Sequence, residues 1–224
     1  ASYLARTLPG AGASVYSAPE AFAAFIRGGG NLGLYAATSA ALRAAQLSNR
    51  ARSLLDIGVG DGMALLPALT DEIEQLDLVE PSAALLASIC QQLDAHGRQC
   101  RAFNGTLQDF VAQNTGSWDI AEATFSLQSI VPEERAPLLA WLRAHCRRLL
   151  IAEFDVPDFA EQFAPARATY VSERFAQGVA EYADDGGLVA QGFLMPVMFG
   201  SFDRTAARTN YEQPMAAWAE QLRA

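Results

Sequence analysis

Positive charge is scarce in this sequence. Sixteen lysine and arginine residues stand against 25 aspartate and glutamate, a formal net charge of −9. A polyanion partner is disfavoured on that ground, because phosphate-backbone binding draws its affinity from clustered cations. Neither nucleic acid nor a membrane is an expected partner. Long apolar runs are missing too: charges break every candidate before the roughly 18 residues of a membrane span, as Arg147 and Arg148 do ahead of Leu149. The N-terminus, Ala-Ser-Tyr-Leu-Ala-Arg, lacks a basic segment leading into an apolar core. No secretory signal is read there, and a soluble, cytoplasmic protein is the expectation. Cysteine is limited to Cys90, Cys100 and Cys146, an odd number with no CxxC spacing. That argues against a disulfide framework and against zinc; no metal is expected, and buried thiols are the plain reading. Repeats, low-complexity tracts and long polar linkers are absent, so one compact unit with appended segments is expected.

What is present is an ordinary globular composition, 51% hydrophobic and 18% charged over 224 residues, enough to bury a substantial core. Residues 18–27 suit a short helix with Pro19 in its first turn and Phe22, Phe25 and Ile26 on one side. Gly28, Gly29 and Gly30 are expected to stop it before an Ala-rich helix at about 33–47. From residue 53 the pattern alternates strand and helix. Apolar runs at 53–57 and 75–79 read as buried parallel strands, and 100–103, 118–123 and 148–154 as three more. Ser82 is an N-cap for a helix carrying Leu85, Leu86, Ile89 and Leu93, ended by His96 and Gly97, and another helix is expected near 136–146. Five strands interleaved with helices imply an α/β, doubly wound, parallel sheet. Ligands bind such sheets outside the carboxyl ends of the strands, so segments 56–62, 80–82, 104–108, 124–129 and 154–158 should converge.

The most informative stretch is Leu-Leu-Asp-Ile-Gly-Val-Gly-Asp-Gly, ending at Gly62. Three alternating glycines directly after a strand make a tight turn over which a ligand can approach bare main chain. Glu80 ends the following strand, where a carboxylate can accept from both hydroxyls of a ribose. A nucleoside ligand is implied. A dinucleotide fingerprint beginning at Gly58 would need glycine or alanine where Met63 stands, and that pattern fails.

With Asp56 followed by Gly58, Gly60 and Gly62, the chain resembles the class I S-adenosylmethionine-dependent methyltransferases of small-molecule type. The resemblance runs over about 50–155 and takes in Glu80, the Gly-Thr-Leu-Gln-Asp segment from Gly105, and the Trp118-Asp119 strand start. It implies a Rossmann-like, mostly parallel core at 51–156, a helical N-terminal cap at 1–50, and a substrate cap with a C-terminal helix at 157–224. It also implies S-adenosyl-L-methionine as cofactor. The 58–62 backbone would pack against its amino-acid part with Asp56 nearby, Glu80 would hold the ribose, and Pro81 would lie against adenine. Thr106, Leu107 and Gln108 would line the adenine edge. Family members often carry aspartate at the Thr106 position, a role Gln108 or Asp109 would take over here. Tyr35 would close over the cofactor, and Thr124, at the tip of strand four, would add to the contacts.

Methyl transfer by direct displacement needs alignment and exclusion of water, with a base only where the nucleophile must lose a proton. Relatives often place histidine after strand four, where this chain has Phe-Ser-Leu-Gln-Ser-Ile from Phe125. Gln128 can orient an acceptor; Glu153 and Tyr170 are the remaining catalytic candidates. His96, His145 and Cys146 read as structural. The acceptor is expected to be a small molecule bound under 1–47 and 156–212, where Phe159, Phe163, Tyr170, Phe175 and Tyr182 read as one long helix. Aromatic residues there give a weak preference for a flat acceptor.

The family usually ends in a sixth strand and an antiparallel seventh. After residue 155 only one strand-like run stands out, at about 188–200, and 214–222 resembles the helix before the final hairpin. The last strands are therefore expected to be absent, leaving a sheet edge for a missing tail or a partner, such as a second copy in a homodimer, to cover. Two other readings stay open: a noncatalytic adenosylmethionine-binding protein, and an NAD(P)-dependent oxidoreductase, the latter disfavoured by Met63 and by the lack of a Tyr-x-x-x-Lys pair.

Overall fold

The computed structural model describes residues 18–159, 161–204 and 208–223. They divide into two units. One joins the described residues up to Leu34 with Asp158–Arg208; the other joins Tyr35–Pro157 with the described residues from Thr209 onward.

The larger unit is built on five strands, β1 (Ser53–Ile57), β2 (Gln75–Glu80), β3 (Arg101–Asn104), β4 (Trp118–Thr124) and β5 (Cys146–Ala152). All pairings are parallel, in the order β3-β2-β1-β4-β5, with β5 at an edge among the described residues. The helices between them are a short turn of helix (Leu65–Ala68), α-helices at Ala83–Ala95, Leu107–Gln113 and Pro132–His145, and a final one at Met215–Arg223. With Pro19–Ile26 and Gly29–Ser48 ahead of β1, and Pro165–Glu181 and Met195–Gly200 in the smaller unit, they are numbered in chain order: α1 (Pro19–Ile26), α2 (Gly29–Ser48), α3 (Leu65–Ala68), α4 (Ala83–Ala95), α5 (Leu107–Gln113), α6 (Pro132–His145), α7 (Pro165–Glu181), α8 (Met195–Gly200) and α9 (Met215–Arg223).

A strand buried on both faces sends alternate residues to different layers. On β1, Leu55 and Ile57 join Val79, Ala121 and Ala123 under Phe110, Leu138, Leu139, Leu142 and Trp218 of α5, α6 and α9. Leu54 joins Leu76, Leu78 and Ile120 under Leu65, Leu86, Ile89 and Leu93 of α3 and α4. By the same parity Asp56, Glu80 and Glu122 share the second face.

The sequence reading of the five strands holds to within a few residues, β5 lying two earlier than expected. Ser82 caps α4 through Leu85, while Leu85 itself is exposed and the buried face is Leu86, Ile89 and Leu93. α1 ends at Ile26, ahead of the three glycines as expected, and Gly29, at φ 49°, and Gly30 then open α2; a left-handed residue at the break between two helices is one that glycine supplies without strain.

In the smaller unit, the run at 188–200 is helical, a π-turn (Ala190–Leu194) passing into α8, and not a strand. A continuous apolar run carries neither period 2 nor period 3.6 and cannot separate the two by itself. Gly192 settles the packing here, since a Cβ on it would overlap the Cβ of Ala21 on α1. Phe193 stacks on Phe25 at 4.2 Å. α7 starts after Phe159 and Phe163, and of the five aromatic residues expected on one helix only Tyr182, at its C-cap, is buried.

Candidate functional site

The turn after β1 carries three glycines in the left-handed region, Gly58 (φ 72°), Gly60 (φ 57°) and Gly62 (φ 80°). Their reasons differ. A Cβ on Gly58 would overlap Ser126 after β4, and one on Gly62 would overlap Ile89 of α4. A Cβ on Gly60 would meet nothing within 4 Å. Packing within the protein accounts for the outer two, and the main chain at Gly60 is open to a ligand.

Glu80, at the tip of β2, is buried and clasps this turn. Its Oε2 accepts the Gly60 N–H at 3.0 Å and its Oε1 the Ser82 N–H at 2.8 Å. An ionised carboxylate has about four acceptor positions, so two backbone donors leave it able to accept from further hydroxyls. Asn104 donates to the carbonyls of Glu80 and Pro81, both at 2.9 Å, tying the tip of β3 to the tip of β2.

Beneath the turn, Asp56 and Glu122 are register partners across β1 and β4. Both are buried, and Glu122 accepts from no N–H or hydroxyl donor; Gln46 of α2, also buried, presents its amide to it. Burial raises Asp56 well above the carboxylate range, helped by the charges of Glu122 and Glu80. Burial pushes Glu122 up to about 7, opposed by the neighbouring Asp56 and Gln46 side chains. Two carboxyls so placed cannot both ionise cheaply.

The segment after β3 departs from the expected lining. Thr106 is the N-cap of α5, in a reciprocal capping box with Asp109. The Asp109 carboxylate is therefore taken up by the helix end, with Thr106 Oγ1 donating to it at 2.7 Å. Gln108 donates to Glu134 of α6 at 3.0 Å. The Leu107 side chain lies in the core, 5% exposed, where the apolar layer under β1 and β4 is the better solvent for it.

Beyond β4 and β5 the structure brings Gln128 and Glu153 together. Glu153 Oε1 accepts the Gln128 backbone N–H at 3.2 Å, while Oε2 and the Gln128 Oε1 are buried without a hydrogen-bond partner. Burial pushes Glu153 up to about 7, opposed by the N–H groups of Gln128 and Leu127. Phe125, next to them, has φ 52°, a conformation that costs a bulky L-residue about 1–2 kcal/mol. It is held by its N–H on Ala152 O at 2.8 Å, by stacking on Phe154 at 4.5 Å and by the edge of Tyr35 at 5.6 Å. Strain of this kind collects where a side chain is aimed for use.

No protein-family model and no curated protein sequence matches this chain. Solved structures do. It superposes on an O-methyltransferase family protein from Burkholderia thailandensis at 15% identity over 85% of this chain and 50% of that one, TM-score 0.54. Magnesium protoporphyrin IX methyltransferase from Synechocystis PCC 6803, with bound SAH, matches at 14% identity over 85% and 72%, TM-score 0.52. A plantazolicin methyltransferase, in complex with a monoazolic desmethylPZN analog and SAH, matches at 12% identity over 99% and 65%, TM-score 0.52. The chain has the Rossmann-like methyltransferase fold. It spans 46% and 55% of two further matched structures, about half their length.

On this methyltransferase fold the 58–62 turn, Glu80, Ser126 and Glu153 all stand at the carboxyl ends of their strands, where ligands of such sheets lie. Thr124 is half-buried at the tip of β4, opposite Ala152, and Pro81 is exposed. Tyr170 belongs to the smaller unit, where it packs on Phe159 at 5.5 Å. His96 and His145 turn back on their own helices, bonding the carbonyls of Gln92 and Trp141, and burial pushes Cys146 up to about 11. Among the described residues no group of three metal-ligating side chains assembles, and no helix is long and apolar enough to cross a membrane. Glu122 was missed in the sequence; it shares the parity of the buried Ile120 on β4, and an acid at a buried parity position is the signal.

Proposed function

We propose that this chain binds S-adenosylmethionine across the tips of β1 and β2 and transfers its methyl group to a small-molecule acceptor at the tips of β4 and β5. The observation that carries the reading is the open main chain at Gly60 beside the Glu80 carboxylate. Glu80, with acceptor capacity to spare, fits ribose hydroxyls, and the same unit holds Tyr35, with its edge on Phe125 at 5.6 Å, and Thr124 at the tip of β4. Bound there, the cofactor would supply an electrophilic methyl group on a sulfonium.

The protein's own part is positioning and proton handling. Phe125 and Phe154 offer a flat apolar shelf, which suits an aromatic acceptor and keeps water from the transfer line. Gln128 has an amide oxygen without a partner and orients a donor on the acceptor. Glu153, pushed up to about 7, takes the proton of an acceptor hydroxyl or amine near neutral pH, where a base of that strength works best. The SAH-bound structures among those that share the fold support the same cofactor.

Calorimetric titration with S-adenosylmethionine and S-adenosylhomocysteine tests it. Saturable binding is expected, lost in Gly60→Val while the far-UV circular dichroism stays that of the parent. A folded protein that binds neither ligand would end the proposal; methyl transfer to a panel of aromatic and aliphatic hydroxyl and amine acceptors then tests turnover.

A further inference from the structure

Cys90 and Cys100 are not the separate buried thiols that their spacing suggests. Cys90 lies on α4 and Cys100 is the residue before β3, and their Sγ atoms are 3.4 Å apart. Both are half-buried against the layer formed by Leu76, Leu78, Leu86 and Ile89. The chain between them is pinned. Gly97, at φ 68°, turns it back, the Arg98 N–H bonds Leu93 O at 2.9 Å, and the Arg98 guanidinium donates to the carbonyls of Thr70 and Ile73 at 3.0 and 2.8 Å. Cys146 packs against the other face of the sheet, out of reach of this pair.

We propose that Cys90 and Cys100 form a reversible intramolecular disulfide under a peroxide oxidant, tying α4 to the start of β3. The Cys90 sulfur attacks a peroxide oxygen, breaking the O–O bond and giving the sulfenic acid and one water. The Cys100 sulfur then displaces the hydroxyl from Cys90 sulfur, and that hydroxyl leaves with the Cys100 proton as a second water. Two thiols and one hydrogen peroxide thus become one disulfide and two waters; a dithiol reductant returns both thiols. The balance is the same whichever of the two sulfurs is oxidised first. The two sulfurs stand 3.4 Å apart, and a disulfide brings them to about 2.0 Å. Cys90 adjoins Ile89, the side chain on which Gly62 rests, so the bond fixes the helix that supports the glycine turn.

The full chain is treated with hydrogen peroxide, denatured, and examined by thiol titration, intact mass and tryptic mapping. Titratable thiols should fall from the three of the sequence to one, and the mass by two hydrogen atoms. A cross-linked peptide should join Cys90 to Cys100, and the melting temperature should rise by several degrees, because the unfolded chain is constrained. Dithiothreitol should reverse all of it. Cys90→Ser and Cys100→Ser should each abolish the change and Cys146→Ser should not. Three remaining thiols, a bond to Cys146, sulfinic acid at either position without a cross-link, or a cross-link that leaves the melting temperature unmoved would each overturn the proposal. None of these readouts involves the cofactor, so the result is independent of the proposed methyl transfer.

Discussion

Glu80 reaches back along the chain to accept the Gly60 N–H at 3.0 Å, so one carboxylate both shapes the glycine turn and faces the space above it. A bond from a backbone N–H to a charged acceptor contributes about 1.5–3 kcal/mol. Glu80→Gln keeps the shape but loses the charge and offers one acceptor oxygen to the Gly60 and Ser82 N–H groups. We expect S-adenosylmethionine affinity to fall by roughly ten- to a hundredfold, in line with that energy, read by calorimetry. Unchanged affinity in a folded Glu80→Gln protein would remove the carboxylate from the ligand's contacts.

The two kinds of glycine in the turn separate stability from binding. Gly62→Ala forces Ile89 off its seat and places a Cβ at φ 80°, for an expected loss of about 2–4 kcal/mol from strain and repacking together. Urea denaturation should show it, and Ile89→Ala in the same chain should recover the packing part. Gly60→Val meets no such neighbour; it carries the strain of φ 57° without the overlap, so it should cost less stability than Gly62→Ala while abolishing ligand binding.

Glu153 sets a pH dependence of activity. Pushed up to about 7, it accepts a proton only when ionised, so kcat should fall as pH drops through about 7 and level off above it. Glu153→Gln should lower kcat and flatten that limb while leaving cofactor affinity unchanged. A profile that keeps the same limb in Glu153→Gln would assign the base elsewhere.

The same burial has a consequence for stability with the opposite sense of pH. Glu122 and Glu153 are each raised from 4.5 to about 7 in the folded protein, so the folded state holds protons that the unfolded chain releases earlier. Their contribution is fully present below pH 4.5 and is lost as pH rises to about 7. Denaturation midpoints should therefore decline over that window. At pH 8, Glu122→Gln should be more stable than the parent by no more than about 3 kcal/mol, an advantage that vanishes at pH 4. Equal midpoints at both pH values would mean that the buried pair is ionised already.

The sheet was legible because burial on both faces leaves short apolar runs bounded by turn residues, and Leu54, Leu78 and Ile120 could hardly sit elsewhere. The glycine turn and Glu80 were legible for a related reason: backbone conformation and strand ends leave local marks. What was not legible depends on partners far apart in the chain. Nothing local in the sequence marks the Leu107 side chain as part of the core with Leu138, Leu139 and Leu142. Asp109 reads as a free acceptor until Thr106 takes it. The 188–200 run reads as a strand until Gly192 meets Ala21. The nearness of Gln128 to Glu153, and of Cys90 to Cys100, is fixed by crossovers whose lengths carry no record of the contact.

The segment from Tyr211 onward is held by one buried guanidinium, which gives the last prediction. Arg135 is 1% exposed and donates to Ile130 O at 2.9 Å, Gln213 Oε1 at 2.9 Å and Tyr211 O at 2.7 Å. Its guanidinium also lies over the Trp218 ring, 4.3 Å from the centroid. Asp155 supports the same stretch by accepting the Met215 N–H at 2.8 Å. Arg135→Met fills the volume but leaves these acceptors without a donor, for an expected loss of about 3–5 kcal/mol. Arg135→Lys should recover little, because a single ammonium cannot span three acceptors set in a fork. The loss should reach the proposed acceptor side as well, since the Tyr211 N–H bonds Gln128 O at 2.7 Å and thereby fixes the residue whose own N–H holds Glu153. Limited proteolysis should cut Arg135→Met first near Tyr211, and kcat should drop with little change in cofactor affinity. Cleavage elsewhere, with kcat and stability at parental values, would show that the guanidinium is not what anchors this segment.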